Sequence, residues 1–148
     1  MSTFNDIRIS QMRSAKKQED AYHGYAVRNN VSDSFLFLMY VFHEDGDGLT
    51  QAEIGQILNL PKQTVNSSLK KMEKEGIIRF LADGSDKKKK RVYLTQTGRE
   101  QMTALIEPLV EAENRAYESL GEEAASLLAD LCRRETEALS AQIKKVIQ

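Results

Sequence analysis

Between Thr50 and Gly98 the chain carries local signals dense enough to restrict it to few folds. Thr50-Gln51-Ala52-Glu53 sets Thr three residues ahead of Glu, the reciprocal capping pattern that opens a helix. Ala52, Ile54, Ile57 and Leu58 then predict one buried face on a short helix. Asn59 tolerates the left-handed backbone of a tight turn. Leu60-Pro61 starts a second helix, with Pro where its missing N–H costs nothing. On that helix Val65, Leu69 and Met72 repeat toward the inside. Gln63, Asn66, Ser67, Lys70 and Lys74 share the opposite face. Gly76 ends it.

Two short strands are expected next, Ile77–Leu81 and Arg91–Leu94. Turn residues Asp83-Gly84-Ser85-Asp86 separate them, followed by Lys87, Lys88, Lys89, Lys90 and Arg91. Two helices followed by a hairpin with a basic tip make a winged helix-turn-helix. Charge supports a nucleic-acid role only when it is taken by region. The net charge of the whole chain is −1. Residues 61–99, however, hold eleven basic and four acidic groups, a net of +7. Residues 1–60 come to −3, from five basic and eight acidic groups. Residues 100–148 come to −5, from five and ten. The cations are therefore concentrated on the winged segment, and the acidic flanks discourage DNA from binding elsewhere.

The order of short helix, LP-led second helix, KKMEKEGII, basic wing and LTQTGRE resembles the DNA-binding core of the MarR (multiple antibiotic resistance regulator) family. The motifs lie between Thr50 and Glu100, while length and element order agree over the whole chain. The resemblance implies a mainly α fold with a small β-hairpin wing, and helices at both ends that interlock two subunits. It also implies a palindromic double-stranded DNA site with half-sites about one helical turn apart. In this frame Gln63 and Asn66 are the expected base readers, because amides pair bidentately with adenine. Ser67 suits base or phosphate, and Lys62, Thr64, Lys70 and Lys71 suit phosphate. Lys87, Lys88, Lys89, Lys90 and Arg91 would lie along the minor groove and its phosphates. Where the family has arginine just after Asp86, this chain has Lys87 and Lys88. A hydrated ammonium is a poorer minor-groove plug than a flat guanidinium, so salt-dependent affinity is expected from the wing more than sequence reading. The resemblance also assigns Asp86 to a pair that holds the wing.

The rest of the chain is helical by pattern. Residues 4–29 form a polar first helix, with Phe4, Ile7, Met12, Ala15, Tyr22 and Val27 at loose helical spacing. Ser32 caps the next helix, whose run Phe35–His43 is apolar enough to be covered on most sides. After Thr95 two helices are expected, broken at Gly121, with Pro108 a candidate kink in the first. Leu127, Leu128, Leu131, Leu139, Ile143 and Val146 line the last. These terminal helices carry more apolar surface than one small domain covers. The expected organisation is a single domain over 1–148, with a DNA-binding lobe at 32–98. The helical segments 1–30 and 99–148 would make a homodimer.

Other readings are weighed against this one. The polar face of the second helix and the lysine run are, taken singly, ordinary solvated surface. A winged helix reused as a protein-interaction module stays open, and so does a metal-dependent regulator built on His23 and His43 with Glu19, Glu44 or Asp45. Counted back from Gly48, a calcium loop would need Glu where Ile54 stands, so Asp45–Gly48 reads as a turn. No catalytic constellation is visible, and an enzyme is not expected. No metal and no cofactor is expected. The single cysteine, Cys132, forms no internal disulfide, fits a reducing cytoplasm and is expected to be buried and inert. The N-terminal residues lack the pattern of a signal peptide, and no apolar run reaches membrane-spanning length. In the family, a small aromatic or phenolic effector often binds between the dimer helices and the DNA lobe. Tyr22, Tyr25, Phe35, Met39, Tyr40, Phe42, His43 and Met102 are the candidate lining here, with plain core packing as the alternative. The function expected is a cytoplasmic transcriptional repressor relieved by such an effector.

Overall fold

The computed structural model describes residues 3–86 and 88–148. The chain divides into two compact units, one up to Glu107 and the other Pro108–Gln148. The first holds helices α1 (Phe4–Arg28) and α2 (Asp33–Asp45), strand β1 (Leu49–Thr50), helices α3 (Gln51–Leu58) and α4 (Lys62–Lys74), and strands β2 (Ile78–Ala82) and β3 (Lys90–Leu94). Helix α5 (Gln96–Leu120) runs through Pro108 across the boundary, and α6 (Glu122–Ile147) lies wholly in the second unit.

Local chemistry accounts for most of the boundaries. Thr50 Oγ1 accepts the Glu53 N–H at 3.2 Å and the Glu53 carboxylate accepts the Thr50 N–H at 2.7 Å, so α3 starts on a closed capping box. Thr3 and Asp6 do the same for α1, and Ser32 caps α2 through the Phe35 N–H at 3.1 Å. Asn59 takes the left-handed conformation, with φ 50° and ψ 44°, and turns the chain into α4. Pro61 is the residue flanking that helix rather than its first turn. Helix α4 ends in a Schellman motif: Ile77 N–H donates to Met72 O at 2.9 Å and Gly76 N–H to Glu73 O at 3.0 Å, with Gly76 at φ +74°. Strand β2 accordingly begins at Ile78, one residue later than the sequence predicts, because the Ile77 N–H is spent on the helix cap.

The sheet has three antiparallel strands in the order β1-β3-β2, not two. Leu49 pairs with Val92 and Thr50 with Arg91, while β2 pairs with β3 from Ile78 opposite Leu94 to Ala82 opposite Lys90. A two-residue strand is too short to leave an alternation in the sequence, and only its distant partner makes it one. Around this sheet the first unit buries one core. It contains Leu36, Leu38, Met39, Val41 and Phe42 of α2, Ile54 of α3, Val65, Leu69 and Met72 of α4, and Ile78, Val92, Leu94 and Ile106. The α3 face is narrower than expected: Ile54 is buried and Leu58 half-buried, whereas Ala52 and Ile57 are exposed. A Cβ on Gly98 would stand 2.0 Å from the Ile77 carbonyl oxygen, so the start of α5 lies against that backbone at a distance only glycine permits. In α1 only Ala26 is buried.

The second unit is different. None of the 26 residues of α6 is buried. Its apolar stripe, Leu127, Leu128, Leu131, Leu139, Ile143 and Val146, is exposed, and Arg133 bridges Asp130 and Glu137 on its surface. Cys132 is exposed as well, against the expectation of a buried thiol, because no described element covers this helix. No helix among the described residues is long and apolar enough to cross a membrane.

Candidate nucleic-acid interface

With Val65, Leu69 and Met72 committed to the core, the helical period turns the opposite face of α4 to solvent. Lys62, Gln63, Thr64, Ser67, Lys70 and Lys71 are exposed there and Asn66 is half-buried. Gln63, Asn66, Ser67 and Lys70 fall on one arc, whereas Lys71 lies about 100° round the helix from Lys70. The Ser67 hydroxyl donates to the Gln63 carbonyl at 2.9 Å, so part of its hydrogen-bonding capacity is used within the helix.

The wing lies across a groove from α3 and from Lys62, the first residue of α4. The Asp83 N–H donates to Lys89 O at 2.7 Å, closing the hairpin beyond the last strand pair. Lys88 N–H donates to the Asp86 carboxylate at 3.0 Å, which orders the tip. Lys88, Lys89 and Lys90 are exposed, and Lys87 lies outside the described residues. Together with Lys62 these three lysines line a groove of about 650 Å³, whose other wall is α3 with Gln51, Gly55 and Gln56. Four ammonium groups along one groove make a cationic path suited to a phosphodiester backbone.

Arg91 stands apart from the lysines. It is half-buried, and its guanidinium is shared between the Gly48 carbonyl at 2.8 Å and the Asp83 carboxylate at 3.2 Å. The described ion pair across the wing is therefore Asp83–Arg91, not one made by Asp86. Hydrogen bonding from the Ser85 N–H, and then from Arg91, holds the Asp83 carboxyl below the usual carboxylate range. Glu53 is held low first by the Thr50 N–H of the capping box. Asp47, read from sequence only as turn material, ties three segments together. One oxygen accepts the Leu94 N–H at 3.0 Å and the other the Arg99 guanidinium at 2.6 Å. Partners separated by 47 and 52 residues leave no sequence signal.

The eight candidate effector residues are dispersed. Phe35 lines a cavity of about 400 Å³ in the first unit, with Val31, Leu38, Lys71, Met72 and Ile77 among its walls. Met39 and Phe42 are core residues. Tyr25 donates from its hydroxyl to the Leu105 carbonyl at 2.6 Å. Tyr22 packs its ring 5.9 Å from that of Phe37. Tyr40 and Met102 are half-buried, and His43 Nδ1 lies 2.9 Å from the Glu44 carboxylate. His23 pairs with Asp33 at 3.0 Å. Among the described residues no three metal-ligating side chains converge.

The MarR family model matches residues 33–89, from the start of α2 through the wing. None of the curated proteins matches. Among solved structures, NMB1585, a MarR family regulator from Neisseria meningitidis, superposes with a TM-score of 0.79 at 21% identity, over 93% of this chain and 97% of that one. The transcriptional regulator SlyA gives 0.67 at 23% identity, over 95% and 97%. MepR of S. aureus, in a complex with DNA, gives 0.69 at 20% identity, over 94% and 99%. Residues 33–89 thus match the MarR family model, and the chain as a whole has the winged helix-turn-helix fold of these solved regulators.

Proposed function

We propose that this chain is a homodimeric, sequence-specific DNA-binding repressor of transcription, acting in the cytoplasm. The observation that carries the reading is the exposed polar face of α4 together with a ridge of exposed lysines on the wing, both within residues 61–99, whose net charge is +7. Gln63 and Asn66 read bases in the major groove, and Lys62, Thr64, Lys70 and Lys71 grip the phosphates on either side. The wing lysines lie over the flanking minor groove. They supply affinity through release of condensed counterions.

Dimerisation is supported by the exposed apolar residues of α6, and by Tyr117 and Leu120 of α5 and Phe4, Ile7 and Met12 of α1. In this reading residues 1–30 and 99–148 are the dimerisation region and residues 32–98 the DNA-binding lobe. Two-fold symmetry then sets two recognition helices on a palindrome. The cavity at Phe35 supports control by a small aromatic effector, since its volume is in the range of about 300–1,000 Å³ typical of small-molecule sites. Lys71 and Met72 place one of its walls on α4 itself. An occupant would bias the dimer away from the spacing that DNA requires.

The test is fluorescence anisotropy of the purified protein with the DNA upstream of its own coding sequence and with a scrambled duplex, at two salt concentrations. The expected result is tight, salt-sensitive binding to the native fragment alone, at two protomers per site. Equal weak binding to both duplexes would overturn sequence-specific regulation.

A further inference from the structure

By sequence Arg91 is the last cation of the lysine run and one more group for phosphate, but its side chain is turned into the protein. Nη1 donates to the Gly48 carbonyl on the approach to β1 at 2.8 Å and stands 3.9 Å from the Glu53 carboxylate at the start of α3. Nε donates to Asp83 at 3.2 Å. One guanidinium thus joins the base of the wing, β1 and α3. Asp83 is the matching hub. Its second carboxylate oxygen accepts from the Ser85 hydroxyl at 3.2 Å, its N–H donates to Lys89 O, and its carbonyl accepts the Asp86 N–H at 3.2 Å.

We propose that Arg91 and Asp83 form a positioning clamp rather than a DNA contact, fixing the wing on β1 and α3 so that the lysine ridge stands at a set distance from α4. A fixed ridge keeps the groove between Lys62 and Lys88–Lys90 open at one width. The consequence for DNA rests on the DNA-binding reading above, whereas the clamp itself is a property of the free protein. The planar, five-donor fork of arginine suits a site with acceptors on three segments, and a lysine ammonium does not replace it.

The two roles differ in sign. An acid beside the path of a polyanion weakens binding, so if Asp83 is only a surface charge, Asp83→Asn tightens binding. As half of a clamp, the same change frees Arg91, loosens the ridge and weakens binding. Arg91→Lys keeps the charge: a phosphate contact survives it and the clamp does not.

The experiment uses the full chain with a labelled random-sequence duplex over a series of salt concentrations, and hydrogen exchange of the wing amides without DNA. Asp83→Asn and Arg91→Lys are each expected to lower affinity about tenfold and reduce the salt slope by about two. The double variant is expected to be no worse than either single one, and the amides of Asp83 and Lys89 to exchange faster in all three. Unchanged or tighter binding by Asp83→Asn, full affinity in Arg91→Lys, or unchanged wing exchange would each overturn the clamp. If the unaltered protein binds no DNA, the DNA-binding reading fails by itself and wing exchange alone decides the clamp. Should Arg91→Lys fail to fold, Asp83→Asn carries the test, since its sign separates the two roles.

Discussion

Helices α4 and α6 are both amphipathic, and they dispose of their apolar residues in opposite ways. Helix α4 buries Val65, Leu69 and Met72, packing on α3 and β2, and turns amides, hydroxyls and ammonium groups outward. Helix α6 has a longer apolar stripe and buries none of it. The winged lobe is therefore closed as a folding unit and open as a polar surface. The C-terminal unit is open as a folding unit, because exposed leucines at helical spacing gain nothing until another surface removes them from water. The same kind of pattern serves internal packing in one place and is left exposed to solvent in the other.

Leucine truncation on the two helices tests this contrast most strongly. Leu69→Ala is expected to cost about 2–5 kcal/mol of unfolding free energy, through lost burial and the cavity left behind. If the proposed dimer forms through α6, Leu131→Ala is expected to act through it: its effect in urea melts grows as protein is diluted, and sedimentation shows weaker self-association. A concentration-independent loss at Leu131 equal to that at Leu69 would erase the distinction. Gly98→Ala comes next. The added methyl meets a backbone carbonyl that cannot swing away, so a loss at the upper end of about 1–3 kcal/mol is expected from thermal melts. This change should leave self-association intact in whatever protein stays folded.

Alanine at Lys88, Lys89 and Lys90 together is expected to leave stability within about 0.5 kcal/mol, since all three are exposed. The same change should reduce the salt slope of DNA binding by nearly three, at about 0.9 per phosphate contact. An unaltered slope would point the ridge at a protein partner instead.

The smallest effect expected is with acid. Glu53 and Asp83 have carboxyl groups held below their ordinary values, so the unfolded chain takes up protons before the folded one. Their contribution is fully present above the unfolded values of about 4.3 for Glu and 3.9 for Asp, and is lost as pH falls through the lower folded values. Glu53→Gln should flatten this acid limb in urea melts taken from neutral pH downward. An identical limb in the variant would remove Glu53 from the account.

What could be read from sequence, and what could not, follows the reach of each interaction. The capping box at Thr50 and Glu53, the left-handed Asn59 and the stop at Gly76 all involve partners within a few residues. Such chemistry is written in spacing. The run Phe35–His43 was legible as a covered helix because Ser32 capped it and its composition disfavoured a strand. Strand β1, the anchoring of Arg91 on Gly48, the double use of Asp47 and the cavity beside Phe35 have partners tens of residues away. In the candidate interface the residue types and their helical face were legible. That Arg91 faces inward while Lys88–Lys90 face outward was not, because adjacent cations in one run look alike until a carbonyl and a carboxylate are brought to one of them.

The sequence by itself determined the kind of protein, a winged helix-turn-helix with its cations gathered on the winged segment, because local capping, turn chemistry and charge do not depend on distant contacts. Only the tertiary structure decided which charges are free for a partner and which are spent inside the protein, and which apolar faces are covered. Those outcomes depend on long-range pairing and burial, which bring together residues that the chain keeps far apart.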